Sequence, residues 1–289
     1  MVLTAPTHVA AKVLDHEKAI TLARYCHKGG KPPTLLIVDK CFMVSSILWH
    51  AIYETWFRKP FRLIAVGDPA QFRAILEDIP DDKLLWSHFF KTICGHNLVR
   101  LSYPRRSDKR LVELYSSPPS LYELALKFPA TGLGGPRDYR VCVTSRCRHA
   151  VNKFMQRRFS VGKATLVLPE TPTSPERTLT IGSPVIANKT ENGLFNGCRY
   201  TVESIDPLVI SGEQASPLTL TLAQARAIDL AWATTYWKMQ AFTCPKGAKV
   251  ILLQTQHPHC CKRCLHVGMS RSQALDDLQF APPKWSDLI

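Results

Sequence analysis

No apolar run in this sequence approaches the ~20 residues that a membrane-spanning helix requires, so a helical span is excluded. The opening residues, MVLTAPTHVAAKVL, lack the basic region and long apolar core of a secretory signal. The expected setting is therefore inside the cell, in the nucleus, the cytoplasm or a viral replication site. Internal repeats and low-complexity tracts are missing as well. Acidic residues are scarce, since 23 Asp and Glu stand against 37 Lys and Arg, a net charge of +14. An excess of that size favours a polyanionic partner, because each cation placed at a phosphate releases a counterion. The alternative is a basic protein that merely stays soluble. A hydrophobic content of 45% with 21% charged residues excludes wholesale disorder, and 289 residues suffice for two domains with cores of their own.

Cysteine is plentiful, at ten residues, but most of these lie in apolar segments where a reduced thiol behaves as a small hydrophobe. That reading is preferred to a disulfide framework for an intracellular chain. The stretch HPHCCKRCLH gathers His257, His259, Cys260, Cys261, Cys264 and His266, which is a metal-ligand composition. No second CxxC completes a usual zinc site, and reduced loop cysteines are the preferred reading.

The first third of the chain alternates apolar runs with helical spacing. MVLTAPT reads as a strand and turn, and HVAAKVLDHEKAITLARYC as a helix with apolar residues at Val9, Val13, Leu14, Ile20 and Leu22. GGKPP breaks it. TLLIVD reads as a buried strand, SSILWHAIYETWF as a helix and FRLIAVGD as a further strand. Such alternation predicts a doubly wound parallel sheet with ligands beyond the carboxyl ends of its strands. Farther on, DYRVCVTSRCRHAVNKFMQRRF reads as strand, turn and helix, and NGLFNG marks a turn within a small β insertion at about 191–225. Helix and strand return in LTLAQARAIDLAWATTYWKMQA, AKVILLQT and CLHVGMSRSQALDDL.

Several segments recur in a fixed order. LTAPTHVAAKVL is followed by LIVDKCFMV, RLIAVGDPAQF, LSYPRRSDKRL, VCVTSRCRHAVNKF, GSPVIANKTENGLFNG, ATTYWKMQAF and LHVGMSRSQALDDL. Taken singly each is weak. Together they resemble motifs Ia to VI of the superfamily 1B DNA helicases, the RecD/Dda/Pif-like group, across residues 2–281. The resemblance implies an α/β fold of two RecA-like parallel-sheet domains, at 1–100 and 101–289, with the β insertion in the second. It implies ATP and Mg²⁺ as cofactors. It also implies single-stranded DNA, or a single/double-strand junction, as partner, with replication or repair proteins as further candidates and no membrane.

Carried over residue by residue, Asp39 would hold the Mg²⁺, with Gly67, Asp68 and Gln71 around the γ-phosphate or the attacking water. Arg105 and Arg271 match arginines that stabilise charge on the transferring phosphoryl group. Arg106 is the neighbouring alternative, and spacing to Asp108 favours Arg105. Lys238 and Gln240 would couple nucleotide and strand, although Lys238 alone reads as a solvated lysine. Thr7 and His8, with Ser145, Arg146 and Lys238, would touch the nucleic-acid backbone, although His8 alone reads as a turn histidine.

The pattern departs from the family in three places. No GxxxxGK[ST] phosphate loop occurs in the 289 residues. Lys40 stands where an acid that activates water should follow Asp39. The motif V segment, expected as HKSQG, reads Trp237-Lys238-Met239-Gln240-Ala241. Truncation of a longer reading frame explains the missing loop but not Lys40, whereas decay of a non-catalytic copy explains both. The implied function is ATP-dependent translocation on DNA in intact relatives, incomplete in this chain. The alternatives are a non-catalytic single-stranded nucleic-acid-binding or scaffold protein, and an RNA helicase.

Overall fold

Short apolar runs organise the chain into two units, Met1–Tyr103 and Pro104–Ile289, seen in a computed structural model that describes all residues except 15–18, 28–31, 57–60, 75–87, 95–96, 172–173, 213–214, 241 and 289. In the first unit, β1 (Val2–Ala5), β2 (Ile20–Thr21), β3 (Leu35–Val38) and β4 (Arg62–Ala65) form a four-stranded sheet in the order β2-β1-β3-β4. Every pairing is parallel. Helices α1 (His8–Val13), α2 (Leu22–His27) and α3 (Ser46–Trp56) make the crossovers between successive strands. Leu36 and Val38 from β3 and Leu63 from β4 meet Leu22, Trp49 and Ile52 in one buried cluster. This is the apolar-strand pattern of a sheet covered by helices. A further helix, α4 (His88–Cys94), follows before the boundary.

The segment 8–26, expected as one helix, is interrupted. Ile20 and Thr21 pair with Thr4 and Ala5 as an added parallel strand. Two residues carry no periodicity, so only the tertiary pairing distinguishes them from helix.

The second unit begins with α5 (Lys109–Ser116), capped by Asp108, and α6 (Leu121–Lys127), which opens with a Ser120–Glu123 capping box. Its parallel sheet has the order β13-β5-β14-β15, from β5 (Tyr139–Cys142), β13 (Ala233–Thr235), β14 (Val250–Leu252) and β15 (Leu278–Phe280). Helix α7 (Ser145–Phe159) follows β5, and α8 (Tyr236–Met239) follows β13. Helix α9 (Lys262–Met269) lies so close to its neighbours that a Cβ on Gly268 would sit 2.7 Å from Tyr236 and 2.8 Å from Leu252.

Between α7 and β13 lie a hairpin of β6 (Leu166–Leu168) and β7 (Arg177–Leu179) and a five-stranded antiparallel sheet. That sheet has the order β11-β10-β9-β8-β12, built from β8 (Pro184–Ala187), β9 (Arg199–Ile205), β10 (Leu208–Gly212), β11 (Ala215–Leu220) and β12 (Ile228–Leu230). The described residues of 191–225 fall in sequence between β8 and β12. The helical reading of the stretch from Leu220 to Gln240 is corrected. It holds a 3-10 turn, Gln224–Ala227, then β12, β13 and the single helical turn of α8. Its alanines mimic helical composition, while Ile228, Leu230 and Trp232 are drawn into the main core of the unit.

Candidate nucleotide and nucleic-acid site

In the first unit the site grows from the end of β3. The backbone amide of Asp39 donates to Thr4 O at 2.9 Å, and the Thr4 hydroxyl donates to Ile37 O at 2.9 Å, which ties β1 and β3 at the carboxyl edge of the sheet. Lys40 then takes a left-handed backbone conformation, φ 53°. For a lysine this costs about 1–2 kcal/mol relative to the right-handed region. The turn brings its Nζ to 3.0 Å from Asp39 Oδ2, with both side chains about one-fifth exposed, at 18% and 21%. The carboxylate assigned to the metal is thus paired with the ammonium of the residue beside it.

The turn after β4 fits against the same place. Val66 N donates to Val38 O at 2.8 Å, and Cys41 N donates to Val66 O at 2.9 Å. A Cβ on Gly67 would lie 2.7 Å from Cys41 Sγ and 2.8 Å from the Phe42 ring, so the close approach needs glycine. Burial, with Asp39 nearby, pushes the Cys41 thiol up to about 12. Asp68 Oδ1 accepts from Ala70 N at 2.9 Å, and Asp68 Oδ2 accepts from Gln71 Nε2 at 3.0 Å. Gln71 is thereby oriented by Asp68. Thr7 caps α1, its hydroxyl accepting from Ala10 N at 3.2 Å. His8 opens that helix, and burial followed by Arg24 and Lys12 holds its imidazole below the ordinary value.

These residues do not fit a bound Mg²⁺. The ion needs hard oxygen ligands in near-octahedral geometry. Asp39 offers a carboxylate already engaged by a cation, and Lys40 occupies the position from which a second acid would act. Nor does the sequence contain the loop whose backbone N–H groups cradle a triphosphate.

In the second unit Arg105 and Arg106 are both exposed, and Arg106 donates from Nη1 to Thr243 Oγ1 at 3.1 Å and from Nη2 to Ser270 O at 2.9 Å. Asp108 caps α5 and also accepts from Leu275 N at 2.8 Å, which fastens this turn to the segment after α9. Arg271 is only 3% exposed. Its Nε donates to Val267 O at 3.0 Å, its Nη1 to Gln240 O at 2.8 Å and Phe242 O at 2.9 Å, and its Nη2 to Ser270 Oγ at 2.8 Å. The guanidinium clamps the end of α9 to the loop after α8.

Lys238 Nζ donates to Asn188 Oδ1 at 2.8 Å, and burial followed by Arg148 holds its ammonium below the ordinary value. Gln240 is buried. Ser145 and Arg146 are exposed in the first turn of α7, where Thr144 is the cap and is itself held by Gln254 Oε1. The second unit therefore places Arg105, Ser145 and Arg146 at its surface and Arg271 and Gln240 in its interior.

Sequence reasoning missed a buried polar network beside these residues. Arg148 Nη1 meets Asp229 Oδ2 at 2.7 Å, with side-chain exposures of 7% and 2%, and His149 contacts both partners. Asn152 Nδ2 donates to Leu230 O at 2.9 Å, and its Oδ1 accepts from Ala233 N at 2.7 Å. Gln156 Oε1 accepts from Trp232 Nε1 at 2.7 Å. The available signal was Asp229, a lone acid in the apolar run IDLAW, which needs a buried counter-charge. Burial and Arg148 lower the His149 imidazole, against the opposing pull of Asp229. Among the described residues, no three His, Cys, Asp or Glu side chains converge as metal ligands, the 257–266 cluster included. No described helix is long and apolar enough to cross a membrane.

Residues 1–92 match the family model of an AAA domain. A comparison with curated protein sequences finds no match. Solved structures do match along the whole chain. The Pif1 helicase of Candida albicans superposes with a TM-score of 0.73 at 16% identity, covering 99% of this chain and 85% of that one. A Pif1 helicase from a study of DNA unwinding at forked double-stranded DNA gives 0.69 at 16% identity, covering 100% and 83%. Bacteroides Pif1 in complex with ADP-AlF3 and single-stranded DNA gives 0.67 at 16% identity, covering 96% and 82%. The chain thus shares its α/β fold, with one parallel sheet in each unit, with the solved Pif1 helicases that it matches.

Proposed function

We propose that this chain is a Pif1-like, helicase-type protein that grips single-stranded nucleic acid but does not hydrolyse ATP with these 289 residues. The observation that carries the reading is the 3.0 Å pair between Lys40 Nζ and Asp39 Oδ2. It neutralises the carboxylate on which metal-assisted phosphoryl transfer depends, and a charged lysine cannot take a proton from water. Binding is a separate property. A net charge of +14, and a fold shared with a Pif1 helicase crystallised with single-stranded DNA and with Pif1 helicases that unwind forked double-stranded DNA, support a grip made mainly through phosphates. Exposed Arg146 and Ser145 are the proposed strand contacts in the second unit, and Thr7 and His8 in the first. Arg105, exposed at the surface of the second unit, is the proposed phosphate-facing arginine. DNA is the proposed strand, and an RNA oligonucleotide run alongside it decides the sugar.

One preparation tests both halves. Fluorescence anisotropy with a labelled oligonucleotide across a salt series should show affinity that falls steeply with salt. A phosphate-release assay on the same sample, with and without the oligonucleotide, should show no stimulated turnover. Stimulated turnover that disappears in Asp39→Ala would refute the inert site. Binding that ignores salt would refute the phosphate grip.

A further inference from the structure

The approach to α9 and its first turn bring three thiols together. Cys261 is the exposed N-cap residue of the helix and Cys264 is buried within its first turn. Their Sγ atoms lie 3.6 Å apart, against the about 2 Å of a disulfide bond. Cys261 stands outside the helix at its cap with an exposed side chain, so a change of its rotamer can close the gap. Cys264 Sγ also lies 3.7 Å from His259 O, which fixes the buried sulfur in place. None of these groups takes part in the site described above. We propose that Cys261 and Cys264 form a reversible dithiol–disulfide couple, with Cys261 meeting the oxidant and Cys264 resolving it.

The oxidant is a low-molecular-weight disulfide, of which oxidised glutathione is the probe. The Cys261 thiol gives its proton to solvent and its sulfur attacks one sulfur of the reagent. The reagent's S–S bond breaks, and one thiolate departs and is protonated. Cys264 then attacks the Cys261 sulfur of the mixed disulfide, a second reagent thiolate leaves, and the intramolecular S–S bond is complete. The proton of Cys264 passes to the departing thiolate. Interaction with Cys264 holds the Cys260 thiol below its ordinary value. Cys260 and burial push the Cys264 thiol up. Two electrons move from the protein to the reagent, which becomes two thiols. Cys142 and Cys147 are also hydrogen-bonded to each other, but both are fully buried and closed to the reagent. Oxidation would stiffen the helix whose last turn supplies the Val267 carbonyl to Arg271.

The couple does not depend on the nucleic-acid reading and is tested separately. The intact chain is equilibrated against graded ratios of oxidised to reduced glutathione, quenched with acid, alkylated and weighed. Two of its ten thiols should disappear in one transition, with the unalkylated mass lower by about 2 Da. Cys261→Ser should keep all its remaining thiols, Cys260→Ser should still form the bond, and Cys264→Ala should trap a glutathione adduct on Cys261. Retention of all ten thiols across the series overturns the proposal, as does an undiminished loss in Cys261→Ser. One equivalent of zinc released when the native thiols are alkylated would assign the cluster to a metal and overturn it equally.

Discussion

The two units hold their motif residues by opposite means. In the first, the turns after β3 and β4 are fixed by backbone hydrogen bonds and by the bare approach of Gly67 to Cys41 and Phe42, and the charge at the tip meets a partner still in contact with solvent. In the second, Arg271 and Arg148 are sunk into the interior. Arg271 is bonded to three backbone carbonyls and a hydroxyl, and Arg148 is paired with Asp229 nearby. The contrast teaches that a motif letter says nothing about whether its group is free to act. Asp39 is quenched by a neighbour in sequence, Arg271 by carbonyls 29 to 31 residues away. The first kind of quenching is weak and reversible, because a partly exposed ion pair contributes about 0–1 kcal/mol. The second is structural, because a buried guanidinium cannot leave its acceptors without exposing them.

The largest expected effect follows from that asymmetry. Arg271→Ala leaves the carbonyls of Gln240 and Phe242 without the guanidinium donor, while Val267 O keeps its bond from Ser270 Oγ at 3.1 Å. At about 1–3 kcal/mol for each unsatisfied group, partly relieved by entering water, the loss should be about 3 kcal/mol or more. Urea unfolding measures it, and amide hydrogen exchange should show the loss concentrated over 233–280. Arg271→Lys should recover only part, since an ammonium does not reproduce the planar fork. A variant as stable as the parent would mean that Arg271 is not a clamp, and would return it to the role of a mobile arginine.

A smaller effect is expected in the first unit. Gly67→Ala forces a Cβ to within 2.7 Å of Cys41 Sγ and 2.8 Å of the Phe42 ring, and the nearest backbone atom is Cys41 N at 3.2 Å. Overpacking of this kind costs about 1–3 kcal/mol. The change should be confined to exchange of amides over 35–44 and 62–74, with those of the second unit unaltered. Equal loss in both units would dissolve the distinction drawn between them.

Much of this was legible in the sequence. The runs LLIV and RLIA announced parallel strands, and DYRVCVTSRCRHAVNKFMQRRF announced β5 and α7. The α/β fold expected with two parallel sheets is the one present, and it superposes on solved Pif1 helicases. What escaped were features decided by partners distant in the chain. β2 exists because β1 offers it an edge. The alanine-rich stretch after Leu220 is strand because β8 and β5 pair with it. The burial of Arg271 is invisible because its acceptors are main-chain carbonyls, which every residue has. Lys40 was visible as an anomaly, but its left-handed turn and its reach back to Asp39 required coordinates.

The smallest stability change is expected where the chemical change is largest. Lys40→Glu removes a pair that contributes about 0–1 kcal/mol and places two carboxylates side by side at the end of β3. Repulsion between them should leave urea unfolding within about 1 kcal/mol of the parent. Their shared charge, however, is what a hard divalent cation seeks. Electron paramagnetic resonance with Mn²⁺ in place of Mg²⁺ should detect bound ion in the variant and none above background in the parent, and Asp39→Ala added to the variant should abolish it. Without a phosphate loop in the 289 residues, the variant should still fail to release phosphate from ATP. Mn²⁺ held equally by parent and variant would show that the Lys40 ammonium does not quench Asp39. The first unit would then have an open metal site, in contrast to the closed interior of the second.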